Sequence, residues 1–514
     1  MNYDVIVVGA GAGAVVARRL VDAGASVLLV EAGGEDVNPA IHDPARAHEL
    51  WFSDEDWAYW TLPQEGCGGR RLHIPRGKVL GGSSSLNGMI YIRGAHADYD
   101  HWAYLGNSGW GYRDVLPFFK RSEDFDGGES EYHGVGGPLP VLTRYEPHPL
   151  NAAFVAAAGE AGVPFNPDHN GAGIEGAGFA QLTVRGGTRR STAAAFLGPV
   201  LGAETLTVRT NTLARRLLFD GDRCGGVELL RAGKIETALA GSEVILAAGT
   251  IESPKLLMLS GIGKPEELRR HRIDVLVDLP GVGENLHDHF LAPLIYATPK
   301  PVPPVGESIH QLHSHLFWHS KSGLAAPDLQ PLCFHVPMYG QEWMSGPPDA
   351  FTMMAGVIRP ASRGSIRLAS SDPADAPLID PAYLGCVADL DALVAAAELC
   401  REMSRQPALA EWVAEELYPG SDASDAKGLR DYLRRALVTY HHQVGTCKMG
   451  IDASAVVDPE LRVYGTTGLR VADASIMPAV TSGNTYAASI LIAEKAADFA
   501  KASLGSRAAA AARI

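Results

Sequence analysis

The clearest apolar pattern lies at the start of the chain. Residues 3–8 (YDVIVV) form a continuous hydrophobic run of the kind shown by a strand buried on both faces. The run feeds a string of small residues, Gly9-Ala10-Gly11-Ala12-Gly13-Ala14, after which 15–23 reads as a helix with Arg18 and Arg19 on its outer side. A second apolar run over 26–30 ends at Glu31 and Ala32. The same alternation returns far downstream. Residues 225–230 and 243–248 read as strands, and the second runs through the corner Ala247-Ala248-Gly249 into a helix. Residues 469–478 again read as strand then turn, followed by Ser482-Gly483-Asn484-Thr485-Tyr486 and a small-residue helix over 487–502.

Strand–helix units at both ends of the chain predict one α/β domain with a parallel sheet, interrupted by a second domain. The expected division is 1–155, 190–300 and 455–514 for the first domain, and 156–189 with 301–454 for the second. The interrupting region opens on a proline-rich stretch at 299–304 and carries strand-like alternation at 364–368. No internal repeat stands out, and the Ala-rich tail from Arg507 is expected to fray.

The small-residue string reads as G-x-G-x-x-A. Its glycines allow a tight turn and bring backbone close to a pyrophosphate on the helix N-terminus, where free N–H groups and the dipole favour an anion. Glu31, about twenty residues on, is placed to accept hydrogen bonds from a ribose. A second loop, Gly77-Lys78-Val79-Leu80-Gly81-Gly82-Ser83-Ser84-Ser85-Leu86-Asn87, suits contact with a flat, charged ligand through backbone N–H groups and hydroxyls. Together they point to a flavin dinucleotide. Only one glycine fingerprint is present, whereas an enzyme passing electrons from NADPH to a flavin would normally need two.

At 514 residues the chain has room for two domains, and 46% hydrophobic with 20% charged residues is ordinary for a globular enzyme. The net charge of −15 argues against nucleic acid or an anionic membrane as partner. No apolar run is long enough to span a bilayer. The first strand starts too early to leave room for a signal peptide, and the six cysteines are widely spaced with no C-x-x-C pair. Reduced thiols and a cytoplasmic location are expected.

The segments 77–100 and 249–263 fit, over their whole length, the two signature patterns of the glucose–methanol–choline (GMC) oxidoreductases. The blocks at 98–102, 109–110, 116–119, 280–286 and His442-Gln443-Val444-Gly445-Thr446-Cys447-Lys448-Met449-Gly450 resemble that family too. The likeness covers nearly the whole chain and is greatest to the choline-dehydrogenase-like and aryl-alcohol-oxidase-like branch. It implies a Rossmann-like FAD domain, an α+β substrate domain built on an antiparallel sheet, and oxidation of an alcohol to a carbonyl. His442 falls at the general base and Asn484 at its hydrogen-bond partner, with His441 lining the flavin ring; the two histidines could also exchange roles. The resemblance extends the FAD contacts to Gly9, Gly11, Gly13, Ala14, Glu31, Ala32, Arg76, Val79, Gly81, Gly82, Ser83, Asn87, Gly88, Met89, Ile90, Ala247, Gly249, His441, Asp473, Ala474, Asn484 and Thr485.

Two departures from the pattern are evident. Gln443 stands where proline is usual, and Tyr486 where many relatives carry a second asparagine. Leu86 occupies the position of the histidine that covalently flavinylated relatives carry, so FAD is expected to be held non-covalently. The substrate is expected to be a small alcohol, with oxygen, a quinone or a protein as electron acceptor. A hydroxynitrile lyase retaining FAD, or a non-catalytic flavin-binding protein, are the alternatives. No metal site is expected from His310, His313, His315 and His319, or from His287-Asp288-His289. The aromatic stretch Trp51, Trp57, Tyr59 and Trp60 reads as a lid and packing over the cofactor, or as a substrate wall. Arg189-Arg190 and Arg269-Arg270 read as solvated surface.

Overall fold

The computed structural model describes residues 2–304 and 312–511. Strand β1 (Asn2–Val8) is the expected apolar run, with Val5, Ile6, Val7 and Val8 all buried. Each such side chain contributes roughly 1.5–3 kcal/mol on burial. Helix α1 (Ala12–Val21) starts three residues earlier than its pattern suggested, directly out of the glycine turn. Strand β2 (Val27–Val30) returns parallel to β1.

These elements open a seven-stranded sheet. In it β3 (Leu206–Arg209), β2, β1 and β6 (Lys234–Leu246) run parallel in that spatial order, and a late strand, β12 (Leu469–Val471), pairs parallel with β6. β6 has 13 residues, longer than the run expected at 243–248, because its first half closes an antiparallel meander with β4 (Thr212–Asp220) and β5 (Arg223–Arg231). Only its second half belongs to the parallel layer. Helix α2 (Gly249–Leu259) follows β6, and helix α3 (Tyr486–Ala511) packs along α1. The tail expected to fray from Arg507 is helical through Ala511, and residues 512–514 lie outside those described.

Arg19 does not sit free on the outer side of α1. It donates to both carboxylate oxygens of Glu494 on α3, a fully buried group that Arg121 and Ser122 also bind. A carboxylate removed from water requires such compensation.

The second sheet is antiparallel throughout. Its strands run β8 (Leu332–Phe334), β9 (Ala350–Val357), β7 (Phe290–Ala297) and β10 (Glu415–Tyr418), and the short β11 (Val438–Thr439) also pairs with β7. A core cluster of its own lies beneath it, built from Phe290, Ile295, Phe351, Leu393 and Leu433 and including Phe154 and Ala158. Ile366, Leu368 and Ile379 instead join the core of the parallel sheet. Among the described residues no helix is long and apolar enough to cross a membrane.

Candidate active site

The C-terminal edge of the parallel sheet gathers the small-residue segments. Gly9 has φ +97°, and a Cβ there would lie 2.4 Å from the Ala247 carbonyl oxygen, so the first and second βα turns touch backbone to backbone. A Cβ on Gly82 would meet the Gly11 Cα at 3.0 Å, which brings the serine loop onto the fingerprint turn. The N-terminus of α1 has no side-chain cap. Among the described residues no side chain takes the Ala12 and Gly13 N–H groups, whereas Ala14 N–H turns back to the Gly11 carbonyl, so the first two are open to an anion. These features form a cradle that fits the pyrophosphate of a dinucleotide.

Glu31 holds this cradle from beneath. Its two oxygens accept Ala10 N–H and Gly33 N–H, each at 2.9 Å, and burial pushes its carboxyl up to about 7. Asp473 joins the two distant βα units by accepting Gly249 N–H at 2.9 Å, Ser253 Oγ at 2.6 Å and Ser475 N–H at 2.8 Å. Ala474 follows it, and its carbonyl accepts Gly445 N–H. In the serine loop, Asn87 Oδ1 accepts Met89 N–H, and Met89 takes a left-handed φ of +57°. Ser83 Oγ accepts Gly77 N–H, and Val79 is buried below.

Arg189 corrects one expectation. It is buried, not solvated, and donates to Asn87 Oδ1 at 2.8 Å, to the Asn87 and Ser84 carbonyls, and to the Ile41 carbonyl. It clamps the serine loop from behind. An Arg-Arg dipeptide carries no local signal of such burial. Arg269 and Arg270 are exposed as expected.

The His441–His442 corner follows β11 and is built around Asp288. Asp288 Oδ1 accepts the His442 backbone N–H at 2.7 Å, while Oδ2 accepts Gln443 Nε2 at 2.7 Å and the hydroxyls of Thr439 and Tyr383. Gln443, which replaces the usual proline, thus serves as a donor to this carboxylate. Burial raises Asp288 to about 6 against the pull of those donors. His441 adopts φ +66°, strained for a non-glycine residue. It is clamped at both ends: its N–H donates to Thr439 Oγ1 at 2.9 Å and its carbonyl accepts from Arg76. Among the described residues His441 Nδ1 has no hydrogen-bond partner, and its ring stands edge-on to Trp51, 5.1 Å between centroids. Trp51, Phe52 and Trp60 form a partly exposed aromatic patch with His73, whereas Trp57 stacks on Tyr59.

The His442 ring has polar contacts at both nitrogens. Asn484 Nδ2 lies 3.1 Å from Nε2, and His289 Nδ1 lies 3.0 Å from Nδ1. Tyr440 packs against the ring at 4.2 Å between centroids, and its hydroxyl is 3.5 Å from Asn484 Nδ2. Asn484 Oδ1 is buried without a hydrogen-bond partner among the described residues. Burial first, then His289, His441 and Arg76, hold His442 well below the usual imidazole range, so it is neutral near pH 7. Thr485 caps the start of α3 through its carbonyl, and the Tyr486 hydroxyl turns to the Arg190 carbonyl at 3.3 Å. His441, His442, Asn484 and Arg76 are therefore brought together as expected. Sequence reasoning assigned no role to Asp288 or His289, because both act across more than 150 residues of chain.

Among the described residues no group of three or more His, Cys, Asp or Glu side chains could hold a metal ion. His310 lies outside them. His313 accepts the His148 N–H, and His315 pairs with Gln330.

Comparison with known proteins places this geometry. Two family models described as GMC oxidoreductase match residues 3–291 and 360–493. The mitochondrial choline dehydrogenase of Homo sapiens is 40% identical over 97% of this chain and 90% of its own length. The oxygen-dependent choline dehydrogenase of Brucella anthropi is 38% identical over 97% of this chain and 95% of its own. Among solved structures, pyridoxine 4-oxidase from Mesorbium loti superposes with a TM-score of 0.92 at 37% identity, covering 96% of this chain and 98% of that one.

Proposed function

This chain belongs to the GMC oxidoreductase family and is an FAD-dependent oxidoreductase acting on alcohols, and we propose that His442 is its general base and Asn484 the donor that holds the reacting oxygen. The observation that carries this reading is the 3.1 Å contact between Asn484 Nδ2 and His442 Nε2. A substrate hydroxyl entering between them donates to Nε2 and accepts from the amide, replacing the direct bond. His442 Nε2 then takes the hydroxyl proton, and Asn484 Nδ2 stabilises the alkoxide oxygen. The cradle at Gly9, Gly11 and Gly82 would hold FAD, which when bound would supply the hydride acceptor for the alcohol carbon. The Asp288 and Arg76 clamps fix the imidazole where the proton must arrive.

Leu86 at the flavinylation position supports non-covalent FAD. The six free cysteines support a cytoplasmic location, although the human relative is named for mitochondria. With relatives that are oxidoreductases along almost their whole length, the lyase and non-catalytic readings are not favoured.

For substrate we propose an alcohol without a fixed positive charge. The carboxylates in this network are already saturated: Asp288 by four donors, and Asp98 by Ala95 N–H, Ser482 and Arg359. Arg359 is ion-paired with Asp98, and the guanidinium of Arg76, which donates to the Pro75 and His441 carbonyls, is the nearby cation that disfavours a quaternary ammonium. Choline and pyridoxine, from the names of the relatives, are the alcohols to compare first. Anaerobic mixing with each, and with aryl alcohols, should bleach the oxidised flavin band with pyridoxine-like or aryl alcohols and not with choline. Bleaching by choline alone would overturn the substrate reading. Admission of air then separates oxygen from a quinone or protein as acceptor.

A further inference from the structure

We propose that His289 is a positioning residue of the reaction: it holds His442 in the tautomer whose Nε2 is free to take a proton, and it accepts a hydrogen bond from the imidazolium that results. The inference rests on the reading of His442 as base. An amide nitrogen can only donate, so in the Asn484–His442 contact the ring Nε2 is the acceptor. The ring proton then resides on His442 Nδ1 and points at His289 Nδ1, 3.0 Å away, which must be the acceptor. The proton of His289 consequently sits on its own Nε2, in a buried ring on which the backbone of Ile358 and of Thr481 also acts.

This assignment fills a gap in the surroundings of the base. A base histidine is commonly oriented by a carboxylate on its second nitrogen. Here the neighbouring carboxylate, Asp288, is spent on the His442 backbone N–H, Gln443, Thr439 and Tyr383, and among the described residues no carboxylate hydrogen-bonds either imidazole ring. The groups facing the pair are Tyr440, His441, Asn484, Arg76, Arg359 and the backbone of Ile358 and Thr481, none of them an anion. Among the described residues, His289 is therefore the side chain that hydrogen-bonds His442 Nδ1. When the alcohol gives its proton to Nε2, the O–H bond breaks and the N–H bond forms there. The Nδ1 proton stays in place, donating to the His289 lone pair, and the pair carries one positive charge.

Nitrogen-15 NMR of histidine-labelled holoenzyme at neutral pH tests the assignment without any mutation. The His442 ring, identified by its loss in His442→Ala, should show a protonated Nδ1 and a bare Nε2; the opposite pattern overturns the proposal. Two variants test its consequence. His289→Asn places an amide oxygen near the Nδ1 position, whereas His289→Leu fills similar space with no acceptor. The Leu variant should reduce its flavin roughly 100-fold more slowly at saturating alcohol, the scale of general-base effects. Its KM should change little and its FAD content not at all, and Asn should recover most of the rate. Equal rates in wild type and His289→Leu, with His442→Ala impaired, would defeat this inference and leave the base assignment standing. An unimpaired His442→Ala would defeat both. If the Leu variant does not fold, the tautomer and the rate of His289→Asn decide.

Discussion

Asn484 Nδ2 and His442 Nε2 lie 3.1 Å apart, although 42 residues separate them and they belong to different segments of the fold. Asn484 is delivered by the turn before α3, and His442 by the corner after β11 that Asp288 fixes. If the alcohol oxygen takes the place of that direct contact, Asn484→Ala should slow flavin reduction by roughly 100-fold, as loss of one oxyanion donor does elsewhere. FAD binding should persist. Rapid-reaction spectroscopy at saturating alcohol checks this, and a change confined to KM would contradict it.

Activity should resist acid. Burial holds His442 well below its ordinary value of 6.5, so the base is already neutral at pH 6.5 and stays so below it. A profile of kcat/KM against pH should therefore be flat from neutrality to below 6.5, with its acid limb at lower pH. A limb at or above 6.5 would show that the base is not held in this environment.

Stability should behave oppositely. His287, His289, His315 and His441 are each pushed down to about 3, chiefly by burial, and His442 is lowered too. Their folded values lie below the unfolded one, so their contribution is complete above pH 6.5. It is lost as pH falls through that value toward 3, because unfolding then takes up protons. Asp288 and Glu31, raised to about 6 and about 7, act in the reverse sense and soften the slope. Chemical denaturation between pH 7 and 4.5 should show a net loss of stability on acidification.

The seam between α1 and α3 depends on a charge. Replacing Glu494 by alanine leaves Arg19 and Arg121 facing a space their carboxylate filled, and should cost about 3 kcal/mol, typical of breaking a buried ion pair. Thermal unfolding reads this directly. Flavin reduction by the folded variant should be near that of the parent, since the pair touches no residue of the His442 network.

What the sequence made legible follows from how local each signal is. The β1–α1 turn, Glu31 and the Ala247-Gly249 corner lie within single βα units, where apolar runs and small residues report directly on backbone form. His442 and Asn484 were reached through a resemblance in their surrounding blocks, and the structure joins them. Thr439 reaches Asp288 through the pairing of β7 with β11, Tyr383 reaches it from a separate segment 95 residues on, and Arg189 reaches the serine loop across about a hundred residues. Their types are common and their spacing carries no period, so the adjacent pair Arg189-Arg190 read as surface although Arg189 is buried.

The central claim is that His442 Nε2 takes the alcohol proton. The most direct test is anaerobic single-turnover reduction of the flavin in wild type and His442→Ala, by whichever alcohol bleaches the wild-type band. The account predicts that the variant keeps its FAD and is reduced about 10²–10⁴-fold more slowly, the range a positioned base supplies. Reduction at the wild-type rate by a folded, FAD-loaded variant would contradict it.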